Sequence, residues 1–186
     1  MSKLIYIANV SLDGFIEDSD GNFDWTTPSD EVFAFITDLV RASGTYLYGR
    51  RLYETMAVWE TDPALAAQSE LRSDFAHVWQ EATKVVYSTT LHEVSTAKTQ
   101  LERNFDPSAI RDLKASAAND LTVGGANLAA HAFRAGLVDE CHLLIGPVFL
   151  GGGKSSLPRD MRADLELLDE RRFGNGAVYV RYRVGS

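Results

Sequence analysis

The chain has 186 residues, 45% hydrophobic and 24% charged, a balance that fits one globular domain over residues 1–186 and excludes wholesale disorder. Its 18 Lys and Arg against 26 Asp and Glu leave a net charge of −8, which opposes non-specific binding to nucleic acid or anionic membrane. The single cysteine, Cys141, excludes an internal disulfide and a thiolate zinc cluster; with no signal-peptide core and no run near the ~18 apolar residues of a membrane span, a reduced cytoplasmic setting is expected.

Lys3–Val10 is short, apolar and β-branched, and reads as a buried strand. It runs through Ser11-Leu12-Asp13-Gly14-Phe15-Ile16 into an acidic loop that reaches Trp25. Pro28-Ser29-Asp30 looks like a helix start, the apolar residues from Val32 to Val40 recur at helical spacing, and Gly44 is expected to stop the helix. Thr45–Tyr48 reads as a strand that turns through Gly49-Arg50-Arg51 into a short helix. Asp62-Pro63 pairs a capping carboxylate with a proline at the first helical position, so one helix is expected from there to about Ala82.

Lys84–Ser88 and Gln100–Arg103 read as strands, and Asp106-Pro107 opens a helix to about Lys114. Leu121–Val123 is a strand ending at Gly124-Gly125, and a helix from Ala126 to Ala135 is closed by Gly136. Cys141–Leu150 is expected as one long strand before Gly151-Gly152-Gly153. Leu165–Phe173 and Ala177–Val184 form a hairpin across Gly174-Asn175-Gly176. Strands alternating with helices and closing in a hairpin predict an α/β fold with a mostly parallel sheet and an antiparallel edge.

Val123-Gly124-Gly125-Ala126 carries the strongest chemical signal. A strand that passes through two glycines into a helix lets a phosphate approach the backbone, where helix-start N–H groups hold it. The bland alternative is a tight turn. Gly49-Arg50-Arg51 sits at a second such turn, where guanidinium forks grip phosphate; a solvated basic turn is its alternative. Gly151-Gly152-Gly153-Lys154-Ser155 fails as a phosphate loop, because Val148 stands where glycine is needed and Leu157-Pro158 follows instead of a helix. Asp18–Asp24 fails as a calcium loop and reads as a solvated turn. His77, His92, His131 and His142 have no metal-ligand spacing, and no serine stands in an esterase elbow. Trp59 and Trp79 read as core or interface residues, and Trp25 as either core or a pocket cover.

Taken in order, these motifs resemble the dihydrofolate reductase superfamily, in particular the bacterial branch related to the reductase domain of riboflavin biosynthesis. The similarity spans Ser11–Ile16, Gly49–Glu54, Val85–Leu91, Gly124–Leu128, Gly136–Glu140 and Gly146–Gly153. It implies an eight-stranded mixed sheet flanked by helices and NADPH as cofactor. It implies that Gly124, Gly125, Ala126, Asn127 and Leu128 hold the pyrophosphate, that Gly49, Arg50, Arg51, Ser88 and Thr89 hold the adenosine phosphates, and that Ala8 and Ile16 line the nicotinamide site. For the catalytic acid it offers Asp30, after the proline as in folate reductases, or Asp13 with Ser11, as in the riboflavin branch. Asp30 also suits an ordinary helix-start acid. The loop with Trp25 and the turn after Leu150 depart from the folate enzymes.

The expected function is an NADPH-dependent reductase that transfers hydride to a C=N or C=O bond of a small, pterin- or pyrimidine-like molecule, with a carboxyl as proton donor. Its rivals are a nucleotide-binding sensor without turnover, a phosphate-ester enzyme using the same anion sites, and a structural subunit. A two-fold homodimer is expected, with Cys141–Leu150 extending or burying a sheet edge in the partner.

Overall fold

In a computed structural model, which describes residues 1–185, the chain begins with β1 (Leu4–Val10), β2 (Phe15–Glu17), a 3-10 turn (Asp24–Thr26), α1 (Asp30–Arg41), β3 (Ser43–Gly49) and α2 (Arg50–Met56). Two one-turn helices, α3 (Val58–Thr61) and α4 (Pro63–Ala66), lead to α5 (Glu70–Glu81), β4 (Thr83–Tyr87), β5 (Thr99–Glu102) and α6 (Pro107–Ser116). The remainder is β6 (Asp120–Gly124), α7 (Ala126–Arg134), β7 (Glu140–Ile145), β8 (Lys154–Ser155), β9 (Leu165–Arg172) and β10 (Val178–Val184).

Eight strands form one sheet in the order β5-β4-β3-β6-β1-β7-β10-β9, and β2 pairs with β8 apart from it. The pairs from β5 to β7 are parallel; β10 runs antiparallel to β7 and β9, so the expected mixed sheet with an antiparallel edge is present. Alternation along each strand sends side chains to two cores. Leu47, Leu121 and Val123 meet Ile110 of α6 and Ala129 and Ala132 of α7. Tyr46, Tyr48 and Val86 meet Phe75 and Trp79 of α5 on the other face, where Trp79 Nε1 donates to the Tyr48 hydroxyl at 3.1 Å.

Three elements differ from expectation. The helix expected over 62–82 is α4 and α5, because Ser69 starts a new helix by accepting from Arg72 N at 3.2 Å. Gly44 does not end α1 but lies inside β3, at an irregularity where a Cβ would press on Asn119 at 3.2 Å. The strand expected to reach Leu150 ends at Ile145. Pro147 has no N–H for a ladder, and Val148 N turns back to Gly146 O at 2.8 Å.

Candidate functional site

The parallel strands β3, β4 and β6 end on one edge of the sheet, where crossover connections leave loops and helix starts facing one another. A cleft of about 510 Å³ opens there. Its walls are Gly49, Arg50 and Arg51 from the β3–α2 turn, Ser88 and Thr89 beyond β4, and Gly125, Asn127 and Leu128 at the start of α7. Two segments read separately as anion sites therefore meet, together with Ser88 and Thr89, which the family resemblance adds to them.

The cleft holds more than those residues. Tyr87, Phe105 and His131 add aromatic surface, and Arg103 and Lys154 add positive charge. Arg103 Nη1 donates to Ser88 O at 3.1 Å and to Leu91 O at 2.5 Å, tying the β4–β5 connection to the cleft wall. Arg50 donates through Nε to Glu54 at 2.9 Å and through Nη1 to the Thr90 hydroxyl at 2.9 Å. No Asp or Glu lines the cleft, although the chain carries 26 acidic residues against 18 basic ones. This inverts the charge of the molecule locally, as an anion site requires.

A second cavity of about 230 Å³ adjoins the first. It is mostly apolar, with Ile7, Ala8, Ile16, Phe23, Ile36 and Leu144 among its walls. Asn9, Thr26 and Thr55 supply polar groups, and Glu17 is the carboxylate that lines it. Arg51, Leu52, Gly125 and Lys154 line both spaces and form the seam between them. Arg51 is spent within the protein: Nη1 pairs with Glu17 at 3.0 Å and Nη2 donates to Gly21 O at 3.1 Å.

The two glycines of the β6–α7 turn separate in role. Gly125 has φ +90°, and a Cβ there would meet nothing nearer than Gly49 N at 3.9 Å, so its missing side chain leaves open space at the seam. No side chain caps α7, which leaves its first N–H groups available to an anion. Gly124 lines neither space; a Cβ there would overlap Leu52 Cδ2, the tip of a side chain that belongs to the seam.

Both expected acids stand elsewhere. Asp13 accepts from the Ser11 hydroxyl at 2.6 Å and from the amides of Leu150, at 3.0 Å, and Gly151, at 2.7 Å. The Ser11 hydroxyl, then those amides, lower its pKa to about 2, so it is ionised at neutral pH and holds no proton to donate. Asp30 is the first residue of α1, exposed and outside both cavities, while Ser29 caps the helix through Val32 N at 3.4 Å. Ala8, Ile16 and Ala126 all line the smaller cavity. Trp25 lies outside its lining and donates to Asn22 O at 3.3 Å. The acidic loop is a self-bonded turn in which Asp18 Oδ1 accepts from the amides of Asp20 and Asn22, both at 2.9 Å.

A family model described as the RibD C-terminal domain matches residues 2–179. The protein YyaP of Bacillus subtilis (strain 168) is 29% identical over 182 residues, covering 97% of this chain and 94% of that one. A solved structure of a putative riboflavin biosynthesis protein from Shewanella sp. PV-4 superposes with a TM-score of 0.76 at 21% identity, covering 99% of each chain. Dihydrofolate reductase from Enterococcus faecalis, solved with NADP(H) and RAB-propyl, superposes with a TM-score of 0.66 at 11% identity over 99% of this chain and 97% of that one. The two structures share the fold.

Proposed function

The chain belongs to the RibD C-terminal domain family, and from that premise we propose that it is an NADPH-dependent reductase of a C=N or C=O bond in a small pterin- or pyrimidine-like molecule. One observation carries the reading: a basic cleft free of carboxylates opens through a shared seam into a small apolar cavity. A dinucleotide has that division, with phosphates at one end and a flat, weakly polar ring at the other.

The residues present fit such a cofactor. Gly125 leaves space at the seam, the uncapped start of α7 offers N–H donors, and Arg50, Arg103, Ser88 and Thr89 surround the larger cleft. The cofactor, when bound, supplies hydride. The protein supplies position and a dry wall: Ala8, Ile16, Ile36 and Leu144 exclude water from the smaller cavity. Glu17, whose side chain is 15% exposed and ion-paired with Arg51, is placed to accept an N–H of a heterocyclic substrate and fix its orientation, and water supplies the proton that the reduced product needs.

Fluorescence titration with NADPH and NADH, followed by NADPH oxidation assays with pterins and pyrimidines, tests the reading. NADPH is expected to bind at least ~10-fold more tightly than NADH, the worth of one charge-assisted hydrogen bond to the extra phosphate. Of Arg50→Ala and Arg51→Ala, the first is expected to lose NADPH selectively, since Arg50 lines only the larger cleft whereas Arg51 stands at the seam, and the loss should shrink at high salt. Equal affinity for the two cofactors contradicts the phosphate site. The position of Asp13 and Asp30 outside the cavity favours one rival, a dinucleotide-binding sensor; tight NADPH binding with no oxidation across the substrate panel would establish it.

A further inference from the structure

Lys154 belongs to the glycine-rich turn that fails as a phosphate loop, yet it lines both the basic cleft and the apolar cavity. Unlike Arg51, the other cation of the seam, it has no hydrogen-bond or ion-pair partner among the described residues. The backbone that carries it is fixed on several sides. β8 pairs with β2 in the register Glu17↔Lys154, Ser156 N donates to Gly14 O at 2.9 Å, and the Tyr6 hydroxyl donates to Ser156 O at 2.7 Å. Gly153, at φ +132°, lies so close to the carbonyl of Glu17 that a Cβ would overlap it. A cation set on a fixed strand, facing a shared opening and paired with nothing in the protein, is available to a bound anion.

We propose that Lys154 is the diphosphate-binding cation of the dinucleotide site, opposite the open backbone of Gly125. This rests on the reductase reading. In a dinucleotide the diphosphate joins the two nucleosides, so a molecule with one end in each space must thread its diphosphate through the seam. Arg50 and Arg103 line only the larger cleft, which suits a phosphate on the adenosine ribose. The two kinds of cation therefore serve different phosphates: Lys154 one common to NADH and NADPH, Arg50 one found in NADPH alone.

The test is fluorescence titration of wild type, Lys154→Met, Lys154→Arg and Arg50→Ala with both cofactors. Methionine keeps the apolar stem and removes the charge, and thermal unfolding confirms that each variant is folded. Lys154→Met is expected to weaken NADPH and NADH by the same factor, about 10-fold or more. Lys154→Arg should recover most of it, and Arg50→Ala should weaken NADPH alone. Reduced nicotinamide riboside, which carries no phosphate, should bind wild type and Lys154→Met equally. A loss confined to NADPH would place Lys154 at the ribose phosphate and overturn the assignment. So would unchanged affinity for both cofactors in a folded Lys154→Met, with wild type binding normally. If wild type binds neither dinucleotide, the reductase reading falls first and the assignment with it.

Discussion

A side chain at position 125 would enter the space at the seam directly, whereas one at position 124 would press on Leu52, a side chain that lines it. Gly125→Val is therefore expected to cut NADPH affinity at least ~10-fold by blocking the approach of a phosphate to the backbone. Its φ of +90° also makes a branched residue strained, by roughly 1–3 kcal/mol, so the melting temperature should fall too. Gly124→Ala should act through Leu52, which must turn away from the new Cβ, with a smaller loss of affinity than Gly125→Val. Titration and thermal unfolding of the two variants separate these roles. The acids divide in the same way. Glu17→Gln is expected to lower turnover by ~10²-fold through a misplaced substrate, and Asp30→Asn to leave it near wild type, because of these acids only Glu17 lines the cavity. Steady-state rates at saturating NADPH decide it, and a large loss in Asp30→Asn would return the acid to α1.

At the level of elements, the loop after β1 and the glycine-rich turn before β8 are one unit. Asp13 fastens them through the amides of Leu150 and Gly151, and β2 pairs with β8 beyond that latch. The latch lies 137 residues apart in sequence, between Asp13 and Leu150. Its pH dependence has a definite sign. The folded pKa of Asp13 is lowered from 3.8 to about 2, so the latch is fully formed above pH 3.8 and is lost as pH falls toward 2. The amide resonances of Leu150 and Gly151 should titrate together with a midpoint near 2, and in Asp13→Asn they should show no such transition. A midpoint near 3.8 would mean that the carboxylate is not held by these amides.

For the molecule as a whole, the position of β7 changes the argument for assembly. It lies between β1 and β10, inside the sheet, and has no edge to offer a partner. The edge strands are β5 and β9, and the apolar surface lies at β9. Its Leu165 and Leu167 pair in register with Val184 and Tyr182, so all four lie on one face, with Val178 on the same side of β10. Leu165, Leu167 and Val178 are 45%, 51% and 36% exposed. We propose that this face joins two copies in a two-fold dimer. Light scattering should give twice the 20.5 kDa chain mass at micromolar concentration, and Leu167→Lys should return it to a single chain. The mass of one chain for wild type would reject the dimer.

Much of this was legible in local sequence, because the signals are local. Short apolar, β-branched runs marked strands, Ser29, Asp62 and Asp106 marked helix starts, and glycines and arginines at strand ends marked residues that line the larger cleft. The alternation of strand and helix was enough for a mostly parallel sheet, since parallel neighbours need crossovers. What the chain could not reveal locally is which distant groups meet, because sheet order is set by how whole faces pack. Only the folded sheet sets Arg103 beside Ser88 and carries Lys154 to the seam with Gly125. It also decides which carboxylate faces the cavity. Asp13 had the expected motif, but two amides from the far end of the chain hold its charge, while Glu17, unremarkable in sequence, is turned inward by pairing with β8.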